Sequence, residues 1–291
     1  MDGRNESLDF IKFLCISAVV CIHTNPFLDF GDIGWIIKAV CRVSVPIFFM
    51  CSGYLIYSKN DKYYFFKYSI RILKIFIVWS IFYIMFALAI QSMSNILHGR
   101  EVFLGYRKYF EHFSLLDIYY AKGIIMYHLW YLVALFFTVP ILYFTFKYNI
   151  INQVLIISLI LNLIGVILSN FGFLQFYVTR DTLFLGIFYS TLGMFIRSNL
   201  EYIKEHLNKI SKTKYCFIVI VLILITVCES IIYKTKFSDS GTYYFSTIPL
   251  AFMIFGICVL NESIGKNSIF NKIGKNSLGI YVIHVALMWF I

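Results

Sequence analysis

Two ionisable side chains bracket the first apolar run of the chain, KFLCISAVVCIH, with Lys12 at one end and His23 at the other. Eleven positions separate them, which is about three helical turns and roughly 16 Å of axial rise. A helix therefore presents both on one face. Asp9 precedes Lys12 by three positions, the spacing at which helical side chains of opposite charge meet. A neutral imidazole facing a polar cavity can remove a proton from a hydroxyl. The plainer readings are also open: Lys12 as a helix-end residue that snorkels toward water, and His23 as an interfacial residue beside Asn25 and Pro26.

Further ionisable groups lie in apolar surroundings, where they usually face a bundle interior or a wet cavity. Arg42 opens CRVSVPIFFMCSGYL, a run that also holds Pro46, Ser52 and Gly53. A guanidinium does not deprotonate, so Arg42 requires an anion or carbonyl oxygens. Ser52 alone reads as a packing hydroxyl. Arg71 and Lys74, three apart in RILK, share a helical face. They satisfy either the positive-inside rule or a clamp for the phosphates of an anionic donor. His128 and Trp130, Arg180, Glu229 and His284 complete the set. Glu229 is a candidate partner for Arg42 or Lys12. Arg42 counts with Arg71 and Lys74 among the candidate donor-binding residues, and Arg42 and Arg180 are candidate stabilisers of an oxyanion. The spacings of His23, His128 and His284 are not those of a metal site, so no metal is expected.

The elements that carry these groups must cross a membrane. Hydrophobic residues make up 60% of the 291-residue chain and charged ones 14%, against about 25% charged in a soluble domain. A helix needs about 20 apolar residues to span a bilayer. Candidate segments are 9–25, 34–57, 70–92, 125–146, 149–168, 182–196, 215–234, 243–260 and 277–291. With the N-terminus cytoplasmic, the inner side, Arg4 and Lys12 included, carries more than twice as many Lys and Arg as the outer connections, the expected bias. The net charge of +10 is accounted for by that topology, so nucleic acid is not expected as a partner. The seven cysteines fall in apolar segments without a C-x-x-C pair and read as small buried hydrophobes. The aromatic connection 93–124 reads as an interfacial helix or a lid. The prediction is an all-α polytopic membrane protein of nine to ten transmembrane helices, forming one membrane domain over 1–291.

Taken together, these stretches resemble acyltransferase family 3. RNESLDFIK is similar to that family's Arg-x-x-x-Leu-Asp-x-x-(Arg/Lys) entry, and Lys12 and His23 match its (Arg/Lys)-x10-His motif. VPIFFMCSGYL looks like its Ser-Gly-(Phe/Tyr)-Leu helix, RILK like its Arg-x-x-Arg motif with Lys74 in the second place, and HLWYL and SLGIYVIH follow in order. The resemblance implies an enzyme that moves an acyl group, commonly acetyl, from cytoplasmic acyl-CoA to hydroxyls of cell-envelope carbohydrates. It implies a multi-pass protein of the bacterial inner membrane, His23 as the catalytic residue with Lys12 and Asp9 beside it, and Arg71 and Lys74 near the donor. It also implies ten helices, so the last is expected to be missing from a chain that stops at Ile291. The membrane halves of vancomycin-resistance serine racemases resemble the same family. They supply the alternative, a membrane or transport module that handles L-serine without acyl transfer.

Overall fold

The computed structural model describes residues 5–59, 61–110, 114–121, 127–237 and 243–290. Arg4 and Lys122, both counted in the charge bias, lie outside these residues. All regular structure among the described residues is helical. Helix α1 spans Glu6–Thr24, α2 Asp32–Cys41, α3 Ser44–Ser58, α4 Lys62–Leu97 and α5 Leu115–Tyr119. They are followed by α6 Trp130–Lys147, α7 Ile151–Asn170, α8 Phe176–Thr179, α9 Ile187–Ser198 and α10 Leu200–Asn208. The last four are α11 Lys212–Phe237, α12 Thr247–Leu260, α13 Ile269–Lys275 and α14 Ser277–Leu287. Each of the nine apolar segments overlaps a helix among the described residues; positions 125–126 and 291 lie outside them.

Six of these spans are long and apolar enough to cross a membrane, or seven if the pair Thr182–Ser198 and Leu200–Asn208, bent by 85°, counts as one. Helices α12 and α14 are apolar but shorter. Isoleucines and phenylalanines on α4, α7 and α11 stay exposed, as befits faces that meet lipid tails. Cys216 and Cys228 on α11 are exposed with them, whereas burial was expected. An apolar stripe facing lipid carries the same composition as one facing protein.

Two segments differ from expectation in shape. The segment 34–57 breaks between α2 and α3 at Arg42 and Val43. Pro46 then sits in the first turn of α3, where its missing N–H costs no helical hydrogen bond. Helix α4 is 36 residues long, about 54 Å, well beyond the 70–92 expected. Its first turn is fixed by Asp61, whose carboxylate accepts the Tyr63 N–H at 2.9 Å. The connection after it holds the five-residue α5, closed by a Ser114–Asp117 capping box.

Packing is tightest where glycine lets backbones meet. A Cβ on Gly53 of α3 would overlap the Ser190 carbonyl of α9, and one on Gly193 of α9 would overlap the Met50 carbonyl of α3. The two helices thus interlock reciprocally, one turn apart. A Cβ on Gly274 of α13 would likewise overlap the Asp9 carbonyl of α1. The start of α1 is held from the same side. The Glu6 N–H donates to the Glu262 carbonyl at 3.1 Å, and the Ser7 hydroxyl both donates to the Asn261 carbonyl and accepts the Ile264 N–H. These contacts fix the register of the helix that carries Lys12 and His23.

Candidate active site

One stripe of α1 runs Lys12, Val19, His23, seven and then four residues apart, and each of the three lines a cavity. The first cavity, about 200 Å³, lies at the Lys12 end. The second, about 550 Å³, lies at the His23 end. Both are bordered by Val19 and Val45, so the two valines stand where the cavities approach each other.

At the Lys12 end, the ammonium pairs with Asp9 at 3.5 Å, the ion pair the spacing suggested. Asp9 is buried. Lys275, from the end of α13, faces the same space. Hydroxyls line the wall: Ser52 Oγ donates to the Phe48 carbonyl at 3.0 Å, lies 3.3 Å from Tyr131 Oη, and accepts from Tyr68 Oη at 3.4 Å. Bonded one turn back on its own helix, Ser52 is a wall residue of the cavity. Arg71 and Lys74 are exposed on α4, and Arg71 follows the lining residue Tyr68 by one helical turn. Neither is among the described residues that line the cavity.

At the His23 end, three imidazoles come together from α1, the turn before α6, and α14. The His23 and His284 ring centres are 5.1 Å apart, and those of His128 and His284 5.5 Å. Tyr127 packs on His23 at 5.5 Å. His284 Nδ1 lies 2.7 Å from the Tyr281 carbonyl. A carbonyl oxygen only accepts, so this nitrogen carries the proton. Nε2 is left with a lone pair and no hydrogen-bond partner. His128 is fully buried, and its backbone carbonyl accepts from the Tyr281 hydroxyl. Among the described residues no group of three His, Cys, Asp or Glu is arranged to hold a metal ion.

Arg180 lies over the Trp130 ring at 5.4 Å, and Arg42 over the Trp35 ring at 5.8 Å. Arg42 also donates to Tyr244 Oη at 3.2 Å. Arg42 thus belongs to the His23 end rather than to the end with Arg71 and Lys74. Glu229 accepts from the backbone N–H of Ser246 at 3.0 Å and from its hydroxyl. Asp181 is spent on structure: it accepts the Phe184 N–H at 2.9 Å and the Tyr119 hydroxyl at 3.1 Å. Burial raises its carboxyl above the usual range, and those donors pull it back down.

The sequence profile of the acyltransferase domain matches residues 5–291. The chain belongs to acyltransferase family 3. Among curated proteins, an amino-acid racemase of Enterococcus faecalis is 27% identical, over 65% of this chain and 25% of that protein. A serine/alanine racemase of Enterococcus gallinarum is 24% identical, over 97% of this chain and 40% of that protein. The chain spans at most two fifths of the length of these curated relatives. No solved structure matches it. The family 3 motifs are dispersed in sequence, and the fold gathers them: Lys12 with Ser52 at one end of α1, and His23 with His128, Trp130 and His284 at the other.

Four participants escaped the sequence reading. Lys38 precedes Arg42 by one helical turn, a spacing that points both to one cavity. Lys275 sits two residues before the SLGIYVIH helix. Tyr127 had only its place beside His128 to mark it. Tyr83 had no local signal at all. Its hydroxyl donates to the Val282 carbonyl at 2.7 Å and accepts the Ala286 N–H at 3.2 Å. It thereby enters the ladder of α14 across the turn that holds His284, while its ring packs edge-on against His128 at 4.6 Å. Tyr83→Phe keeps the ring and removes both hydrogen bonds. It is expected to cost about 1–3 kcal/mol, read as a lower midpoint of thermal unfolding in detergent. An unchanged midpoint would show that α14 closes its own ladder without Tyr83.

Proposed function

We propose that this protein is a membrane-bound O-acyltransferase. It moves an acyl group, acetyl in the first instance, from cytoplasmic acyl-CoA to a hydroxyl of a cell-envelope carbohydrate. The observation that carries this reading is the pair of cavities that approach each other along α1, one at Lys12 and one at His23. The N-terminus is taken as cytoplasmic and the chain as crossing a bacterial inner membrane nine to ten times.

In this reading the anionic donor approaches the basic Lys12 end, with Arg71 and Lys74 at its approach. The thin acyl-pantetheine arm reaches past Val19 and Val45. His23 removes the proton of the acceptor hydroxyl, whose oxygen attacks the thioester carbonyl carbon. The carbon–sulfur bond breaks, the proton passes to the departing thiolate, and coenzyme A and the ester leave on their own sides. Arg180, whose charge reaches the His23 ring, is the stabiliser proposed for the oxyanion. Lys12 and Asp9 hold the end of α1, and His284 offers its Nε2 lone pair beside His23.

The test incubates membranes containing the protein with labelled acetyl-CoA and compares wild type with His23→Ala and Arg71→Ala. Label transfer is expected to fall strongly in the first and measurably in the second. Equal transfer in all three would overturn the roles. The relatives named as racemases favour a second reading, a module that handles L-serine without acyl transfer. Uptake of labelled L-serine by cells expressing the protein, with no label transfer from acetyl-CoA, would establish that reading in place of the first.

A further inference from the structure

Helices α1 and α2 lie side by side, with Cα atoms of the two approaching within 8 Å. Each brings a cysteine to the seam. Cys21 precedes Ile22 and His23 on α1, and Cys41 precedes Arg42 at the end of α2. Ile22, His23 and Arg42 line one cavity, so the positions next to the two cysteines meet across it. The thiols themselves meet in a side-chain hydrogen bond. Their backbones are held in place. The Cys21 carbonyl accepts the Asn25 N–H at 3.0 Å, where Asn25, at φ 46°, ends α1 in the left-handed region. The Cys41 carbonyl accepts the Ser44 hydroxyl at 2.7 Å across the break between α2 and α3. Exposure and spacing set this pair apart. Cys21 and Cys41 are free and partly exposed, whereas Cys15, Cys51 and Cys258 are buried away from any oxidant. Cys216 and Cys228 are exposed but stand twelve positions apart on α11. That is about 18 Å of helix, beyond the reach of a disulfide, whose Cα atoms must lie within about 7 Å.

We propose that Cys21 and Cys41 are a redox-sensitive pair, two thiols that close to a disulfide and tie α1 to α2 beside the His23 cavity. The oxidant is a low-molecular-weight disulfide. One cysteine thiolate attacks a sulfur of the oxidant, whose S–S bond breaks and releases one half as a thiolate. The other cysteine thiolate then attacks the protein-bound sulfur of that mixed disulfide and releases the second half. Two electrons pass from the cysteines to the oxidant, and the two protons they lose end on the two departing thiolates. In the orientation taken above, this end of α1 faces outward, where disulfides persist. The bond closes a loop of twenty positions and so restricts the unfolded chain. It also braces the two helices from which His23 and Lys38 reach the cavity. The pair stands independently of the acyl-transfer reading.

The test exposes the detergent-solubilised protein to oxidised glutathione, blocks the remaining thiols with N-ethylmaleimide, and maps the peptides by mass spectrometry without reductant. The expected product is a peptide pair joined from Cys21 to Cys41 and lacking two hydrogens, with Cys216 and Cys228 alkylated. A thiol reductant should return both thiols to the maleimide-reactive form. The unfolding midpoint of the oxidised protein should rise by several degrees. Cys41→Ser, close in size but unable to form the bond, should show no such rise, and Cys21→Ser is the second variant should Cys41→Ser fail to fold. Maleimide on both Cys21 and Cys41 after oxidation would overturn the inference. A glutathione adduct left on either would overturn it too, since the exchange would have stopped at its first step. A bond formed without any change in midpoint would overturn the bracing of α1 against α2.

Discussion

His23→Ala is expected to lower the rate of acyl transfer by about 10²–10⁴-fold, the usual contribution of a positioned general base. The two cavities make the prediction more specific than a simple loss of activity. His23 lines one cavity and the proposed donor site lies in the other. The apparent KM for acetyl-CoA should therefore hold while kcat falls. Folding should survive, because His23 is the penultimate residue of α1 and only partly buried. The measurement is the initial rate of label transfer against acetyl-CoA concentration. An unchanged kcat would remove His23 from the reaction. A raised KM with unchanged kcat would place the donor at the wrong end of α1. His284→Ala is the companion variant, since its Nε2 lone pair lies at the same end of α1.

Gly53→Val is expected to destabilise the protein by about 3 kcal/mol or more, the upper part of the range for overpacking. The obstacle is backbone, which cannot swing aside as a side chain does. The new Cβ would overlap the Ser190 carbonyl of α9. The reciprocal contact of Gly193 with Met50 means that α9 cannot back away at one turn without opening the next. Between helices in lipid, close packing supplies much of the attraction that the hydrophobic effect supplies in water. Gly53 and Ser52 also adjoin, so separation of the two helices would disturb the Lys12-end cavity. The check is the thermal unfolding midpoint and the monodisperse fraction in detergent, with Gly53→Ala as an intermediate step. A Gly53→Val protein with the wild-type midpoint would show that α3 and α9 are not locked by these glycines.

Much of this was legible in the sequence. Six of the spans followed from apolar run length alone, because a bilayer sets that length physically. Lys12, Asp9 and His23 were placed correctly on one stripe because helical spacing is local. Arg42 was counted with the donor residues on charge alone, whereas it lines the cavity at the His23 end. His128 and His284 were separate weak signals, 156 positions apart, and only tertiary folding brings their rings to 5.5 Å. Tyr83 was silent for the same reason: a tyrosine in an apolar helix looks like any other until its hydroxyl meets the backbone of α14. The short α12 and α14 show the reverse case, where an apolar segment extends beyond the helix that forms within it.

Val19 and Val45 also have an electrical consequence. A water-filled recess carries the potential of the solution it opens to, so a voltage across the membrane falls mainly over the thin apolar partition that remains between two such recesses. Each elementary charge carried through the full potential is worth about 2.3 kcal/mol per 100 mV. If the two cavities open to opposite sides, as the proposed acyl transfer requires, that drop falls at the two valines, and a thioester dipole threaded between them would feel the resting voltage. On that reading, replacing them with smaller or polar residues is expected to wet the partition and let ions leak, before any change in chemistry is seen.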